Sequence, residues 1–412
     1  MPDVPSLRHR TRPMSGRDPH EEHRAATTLE LLFDLTFVVA FGTAANELAH
    51  ALAEDHVGAG IVGFAFATFA ISWAWINFTW FASAYDTDDW LFRLTTMVQM
   101  VGVLVFALGL PAMFESIHHG DTLDNDVMVW GYVVMRAGLL FQWWRATRSD
   151  PDRRSTHALY MGSLLVSQVM WCFFALVDLP VTTTFLLVCI PLVIEVAAPV
   201  IAERRLATPW HPHHIAERYG LMVIIALGEG LIGTMATLTA LAEHGIDLDV
   251  ALLAAAGTAL TFGMWWTYFS IPHGEILHAR PDRSFGWGYG HMVLFGAIVA
   301  VGAGVHVAAY FLAHESHIGL VGTVLTVAVP LGFYLVALYV FYAVVSRSID
   351  PFHVLLVVGT IALLVVPVVM AAGDVELTWC LLVLSLAPWV TVIGYEAHGY
   401  RHNAEILAAL AD

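Results

Sequence analysis

Along most of this chain apolar residues do not alternate with polar ones; they run on in stretches of about twenty, broken by short polar loops. Wound as a helix at about 1.5 Å per residue, such a stretch crosses the roughly 30 Å of hydrocarbon in a bilayer. About twelve are legible, near 29–52, 57–82, 92–114, 127–144, 157–177, 181–202, 217–241, 249–271, 288–313, 318–346, 353–372 and 376–397. A bilayer core holds no water for unpaired backbone groups, and barrel strands need only about ten residues, so spans of this length predict helices. The expected fold is an all-α polytopic membrane protein.

Composition agrees: of 412 residues 58% are hydrophobic and 13% charged, and the mean hydropathy is +0.69. Charge adds an orientation. All 18 basic residues are arginine; Arg8, Arg10, Arg12, Arg17 and Arg24 precede the first span, and Arg145, Arg148, Arg153, Arg154, Arg204, Arg205, Arg280, Arg283, Arg347 and Arg401 fall in loops or ends on that same side. The opposite loops are acidic, with Glu54, Asp55, Asp121, Asp124, Asp178, Asp247 and Asp374 among them. The excess of arginine on one side predicts an inner (plasma) membrane protein with both termini cytoplasmic. A net charge of -17 speaks against a nucleic-acid partner and leaves the lipid bilayer as the partner that composition names. Cys172, Cys189 and Cys380 lie within apolar spans and read as small hydrophobes, so no disulfide, metal or cofactor is expected from them. Residues 1–25 are too polar and arginine-rich for a signal peptide and are expected to be a disordered cytoplasmic tail, with a second cytoplasmic tail over 401–412.

Sliding the second half over the first at offsets of roughly 187 to 200 aligns several features. Glu30 meets Glu217, Trp73 meets Trp265, Gln99 meets His291, and Arg148-Ser149-Asp150-Pro151 meets Arg347-Ser348-Ile349-Asp350-Pro351. The expected organisation is two parallel six-helix repeats, 26–205 and 206–400, related by a pseudo-twofold axis along the membrane normal. In that architecture substrate sites lie at the repeat interface near the bilayer midplane.

The string Leu29-Glu30-Leu31-Leu32-Phe33-Asp34-Leu35-Thr36-Phe37-Val38, with Glu217-Arg218-Tyr219-Gly220-Leu221 running into Ile225-Ala226-Leu227-Gly228-Glu229, resembles the signature pair of the bacterial low temperature requirement protein A family. The resemblance covers essentially the whole chain and implies a polytopic membrane protein; the family's cold-growth phenotype carries no reaction or substrate with it. Leu29-Glu30, Asp34, Phe37 and Ala40 also resemble the first-helix signature of a family of lysosomal and bacterial potassium and proton channels, with Thr28 in place of its arginine and Phe33 in place of its serine.

Ionisable groups inside spans carry the candidate chemistry, because each is costly there without a partner or a task. Glu30 and Asp34, four apart on one helix face, read either as an acid pair that binds a proton or small cation, or as helix-start carboxylates paired with Arg24 or Arg218. Glu217 opens the matching helix. Glu229, twelve residues further and about 18 Å along the axis, falls near mid-bilayer in Gly228-Glu229-Gly230, where small neighbours allow a close helix or a cavity. It reads as a proton-titratable site or as an acid bonded across a helix interface. His291 and His306 are candidate relays or ordinary core histidines. Arg136 and Glu195, at similar depth, are expected to form a buried structural ion pair. The His211-Pro212-His213-His214 run would need ligands from elsewhere to hold a metal, and no metal site is assigned to it.

The function expected from this set is a secondary transporter or an ion- or proton-conducting protein using the buried carboxylates of Glu30, Asp34, Glu217 and Glu229 together with His291 as substrate- or ion-binding groups. A membrane-embedded enzyme acting on a lipid-type substrate, and a sensor or assembly factor without turnover, are the alternatives. No nucleophile elbow, phosphate loop or catalytic soluble domain supports the enzyme, so no catalytic residue is assigned.

Overall fold

The computed structural model of the protein describes residues 11–22, 24–242, 248–346, 351–401 and 404; the rest of both expected tails lies outside these. Among the described residues the secondary structure is helical, without strands. Eleven helical stretches are long and apolar enough to cross a membrane. The expected twelfth, at 127–144, is a helix of 24 residues, Asp126–Ser149, but its arginines, Gln142 and Asp126 leave it short of that apolarity.

The chain divides into two compact units, Met1–Ala40 with Trp73–Ile215, and Phe41–Ser72 with Ala216–Asp412. The division cuts through three helices, α1 (Thr28–Ala53), α2 (Val57–Tyr85) and α8 (Pro212–Ala242).

The first unit adds α3 (Trp90–Leu108), α4 (Leu110–His119), α5 (Asp126–Ser149), α6 (Arg154–Leu176) and α7 (Val181–Glu203), packed in series: α3 on α5, α5 on α6, α6 on α7. Apolar side chains gain nothing by leaving lipid for one another, so membrane helices associate through close packing and interhelical hydrogen bonds. Both operate between α3 and α5. At Gly131 a Cβ would stand 2.2 Å from the Phe106 backbone nitrogen, and at Gly109 2.2 Å from that of Met128, so the two backbones touch where side chains are missing. Further along, Gln99 Nε2 donates to Gln142 Oε1 at 3.0 Å, and Gln142 Nε2 donates to the Thr95 hydroxyl at 3.0 Å.

Within the second unit lie α9 (Leu248–Phe269), α10 (His273–Ala279), α11 (Ser284–Leu312), α12 (Leu320–Ser346), α13 (Pro351–Ala372), α14 (Leu377–Leu384) and α15 (Ala387–Gly394), the last running into a π-helical turn, Tyr395–Gly399. α11 packs on α12, α12 on α13, and α13 on α14 and α15, which close on α9. The break between α14 and α15 precedes Pro388, which has no N–H to continue the ladder of α14.

Helix α1 starts for a local reason that the sequence analysis overlooked. The Thr27 backbone N–H donates to Glu30 Oε2 at 2.8 Å, and the Glu30 N–H donates to the Thr27 hydroxyl at 3.3 Å. This reciprocal pair is a capping box, written in the sequence as Thr27-Thr28-Leu29-Glu30.

Residues 11–22, expected as part of a disordered tail, instead lie along the first unit. The Arg12 N–H donates to Asp89 Oδ2 at 2.8 Å, the Arg17 N–H to the Ala84 carbonyl at 2.8 Å, and Met14 is 1% exposed. Gly16, at φ +87, turns the strand of chain between Pro209 and Tyr85. Polar backbone meets acceptors at the ends of helices, and one apolar side chain is buried, which is enough to hold a short segment whose composition alone reads as tail.

Candidate functional site

At the end of the first unit where α1 begins, Glu30 is fully buried, and its capping Oε2 leaves Oε1 3.2 Å from His214 Nε2 and 3.5 Å from Arg24 Nη2. Arg24 also lies 3.7 Å from Asp86 Oδ2. Burial lowers the Arg24 pKa, with the Glu30 charge opposing that effect. Asp86, in the turn between α2 and α3, is pushed up from 3.8 to about 6 by burial and then by the neighbouring Glu30 charge, against the pull of Arg24 and the Asp88 N–H. Glu30 thus closes a helix cap with Oε2, while its Oε1 lies beside a guanidinium and an imidazole.

The raised pKa of Asp86 makes stability depend on pH. Between about pH 4 and about pH 6 the folded state holds a proton that the unfolded state has released, so stability falls as pH rises through that window and is level above it. Two pKa units correspond to about 3 kcal/mol at most. In Asp86→Asn the contribution is expected to vanish, so the thermal midpoint of the variant in detergent should decline less from pH 4 to pH 6 than that of the parent; parallel curves would refute it.

A turn deeper on α1, Asp34 is 1% exposed and accepts the Trp75 indole N–H at 2.7 Å. Two positions earlier on α2, Trp73 donates to Glu195 Oε2 at 2.7 Å. Residues two apart on a helix point to widely separated faces, so Trp73-Ala74-Trp75 serves two buried carboxylates at once. Glu195, on α7, also accepts from the Tyr132 hydroxyl at 2.6 Å, Arg136 Nη2 at 3.0 Å and, on Oε1, the Trp171 indole at 3.0 Å. Arg136 Nη2 donates to the Tyr132 oxygen as well. The expected Arg136–Glu195 pair therefore forms, inside a larger hub of donors from α2, α5 and α6 that sequence reasoning missed. Helical spacing does not mark those tryptophans as donors; only their long-range neighbours reveal them.

In the second unit His291 is fully buried and uses both ring nitrogens. Nδ1 lies 2.8 Å from the Trp287 carbonyl, which can only accept, so Nε2, 2.9 Å from the Tyr268 hydroxyl, accepts from it. Tyr219, Trp287 and His273 rings surround it. The imidazole is held as a core residue is held. His306, one helix face away on α11, is half-buried.

Glu229 differs from all of these. It sits near the middle of α8, 3% exposed, and among the described residues it has no ion pair and no hydrogen bond to its carboxyl. Two glycines frame it: a Cβ at Gly42 on α1 would stand 3.1 Å from Glu229 Oε1, and one at Gly302 on α11 would stand 2.7 Å from Glu229 Cβ. Glu217, also expected as a site residue, is exposed; twelve residues along α8 put it about 120° round the helix from Glu229. Among the described residues no three or more His, Cys, Asp or Glu side chains are grouped to hold a metal ion.

Residues 25–388 match the family of bacterial low temperature requirement A proteins. This chain belongs to that family. It is also 28% identical, over 322 residues, to an uncharacterized protein of Rhizobium meliloti (strain 1021), a match covering 74% of this chain and 73% of that one. No solved structure matches it. Both strings that carried the resemblance, around Glu30 and from Glu217 to Glu229, fall within the matched region, and the family together with the apolar helices makes this a multi-pass membrane protein. Within the matched region Glu30 and Asp34 lie among donors and Glu229 against Gly42 and Gly302.

Proposed function

We propose that this protein is a proton-conducting or proton-coupled secondary transporter in which Glu229 takes up and releases the proton. One observation carries the reading: among the acids of the candidate set, Glu30, Asp34 and Glu195 are each met by donors, Glu217 is exposed, and Glu229 alone is buried with no partner on its carboxyl. A charged carboxylate in a low-dielectric interior without a counter-charge is costly, so a proton arriving at Glu229 changes its energy more than a proton at any of the others. Gly42 and Gly302 present no side-chain oxygen, which favours a proton over a metal ion, since hard cations take six or more oxygens.

Glu229 is 3% exposed in this conformation. Helices α1 and α11 meet Glu229 through glycines, the kind of contact that can slide with no side chain to withdraw. The parallel order of packing within each unit, α3–α5–α6–α7 and α11–α12–α13–α14/α15, supports the reading of two six-helix repeats. The arginine bias supports a plasma-membrane orientation with cytoplasmic termini.

The test is flux. In liposomes containing a pH-sensitive dye, the parent protein is expected to pass protons under an applied gradient, Glu229→Asp to retain part of that flux, and Glu229→Gln to lose it by more than about tenfold. Glu229→Gln conducting at the parental rate, or a parent protein that is silent under every gradient and cation tried, would overturn the reading.

A further inference from the structure

Gly302 sets the register of two helices of the second unit. A Cβ there would stand 2.7 Å from Glu229 Cβ, and one at Gly233, a turn further along α8, would stand 2.7 Å from the Gly302 carbonyl oxygen and 3.3 Å from the His306 backbone nitrogen. His306 therefore comes one turn beyond Glu229, about 6 Å along α11 from Gly302 and about 40° round it. That turn lies toward the acidic loops. There α1 and the loop after α11 meet: the His317 N–H donates at 2.7 Å to the carbonyl of Ala53, the last residue of α1, and Glu54 follows it.

The two directions away from Glu229 are unlike. Toward the arginine-rich side, the Glu229 face of α8 continues with Ala226 and Met222, and the Gly302 face of α11 with Val299, Ile298, Phe295 and Leu294; all are apolar and none is more than 1% exposed. Toward the acidic loops His306 is half-buried, and among the described residues its ring makes no hydrogen bond. On α1, where Gly42 faces Glu229 Oε1, Asn46 one turn further is exposed, Glu47 half-buried and His50 exposed. An amide, a carboxylate and an imidazole are costly against hydrocarbon and cheap where water reaches them. Two further helices pack on α11: α2, whose Thr68 lies by Gly296, has no titratable residue from Val57 to Ser72, and α12 has none from Leu320 to Phe333. On α1, α8 and α11, the titratable residues beyond Glu229 in this direction are Glu47, His50, His306 and Tyr310.

Resting on the reading that Glu229 carries the proton, we infer that His306 is the relay through which that proton arrives, and that it arrives from the acidic-loop side. Imidazole takes up and releases protons near neutral pH through either ring nitrogen. A protonated His306 gives its proton to the Glu229 carboxylate, by direct contact or through one water, and water at the acidic-loop end then reprotonates it. The histidine ends the cycle as it began.

Two measurements on the full-length protein in sealed liposomes of known orientation test this. The first needs no flux: with Cys172, Cys189 and Cys380 replaced by serine, the substitution His306→Cys is probed with a membrane-impermeant methanethiosulfonate reagent supplied at one face or the other. Modification is expected from the acidic-loop face and not from the arginine-rich face; equal modification from both, or none from the acidic-loop face, would overturn the inference whatever the protein conducts. The second is proton flux, which His306→Ala and His306→Gln are each expected to lower by about tenfold or more. Imidazole supplied at the acidic-loop face should restore a large part of the flux of His306→Ala, and imidazole at the other face should not. Parental flux in both variants, or a loss that imidazole does not relieve, would overturn the relay and leave Glu229 as the carrier. A silent parent protein would overturn both.

Discussion

Arg136→Met is expected to destabilise the protein by about 3–5 kcal/mol, because it leaves the Glu195 carboxylate buried without its cation. Glu195 is 3% exposed and accepts four hydrogen bonds, yet three of the donors, Trp73, Tyr132 and Trp171, are neutral. Hydrogen bonds offset part of the cost of burying a charge; only the guanidinium 3.0 Å away offsets it with a full opposite charge. Glu195→Gln should cost a similar amount by stranding Arg136, whose Nε already lacks a hydrogen-bond partner. The double variant Arg136→Met, Glu195→Gln should be markedly less damaged than the sum of the two, since nothing charged then remains in the hub. Unfolding in mixed micelles followed by tryptophan fluorescence measures all three. If Arg136→Met alone costs under about 1 kcal/mol, the ion pair is not what holds α5 to α7.

Gly131→Ala is expected to cost about 3 kcal/mol or more, although alanine is the better helix former by about 1 kcal/mol. The added methyl would stand 2.2 Å from the Phe106 backbone nitrogen and 2.7 Å from the Gly102 carbonyl oxygen. Neither can turn away as a side-chain tip would. The α3 and α5 backbones must separate, and with them the Gln99–Gln142 amide bond one to two turns along. Gly162→Ala on α6 is the matched control: a Cβ there meets nothing within 4 Å, so helix propensity decides and the variant should be neutral or slightly more stable. Thermal midpoints of both proteins in detergent check the pair of statements, and equal midpoints would show that α3 and α5 do not approach as closely as their glycines allow.

Much of the helical layout was legible because each membrane helix satisfies its own backbone and so announces itself by length and apolarity alone. At α5, where the span expected at 127–144 is a helix, that signal is diluted: Arg136, Gln142 and Arg145 are all buried, and mean hydropathy weighs them as it would weigh exposed polar groups. The ion pair of Arg136 with Glu195 could be anticipated because a cation deep in a span demands an anion at matching depth. The Thr27-x-x-Glu30 cap was equally present in the sequence: the helix-start reading of Glu30 named arginine partners, whereas the nearest partner is the backbone three residues back.

By itself the sequence determined that this is a helical membrane protein of the low temperature requirement A family, with the places where helices start and the buried acids that need explaining. All of these depend on local composition, spacing or shared motif. Only the tertiary structure decided which acids are satisfied. Partners of a buried carboxylate come from helices distant in the chain: Trp75 lies 41 positions from Asp34, and Trp73 122 positions from Glu195. Helical periodicity turned Glu217 outward and Glu229 inward, and the glycines of two other helices closed around Glu229 without offering it a donor. A carboxyl's solvation and hydrogen bonding belong to the assembled interior, and so which buried acids find partners emerges only there.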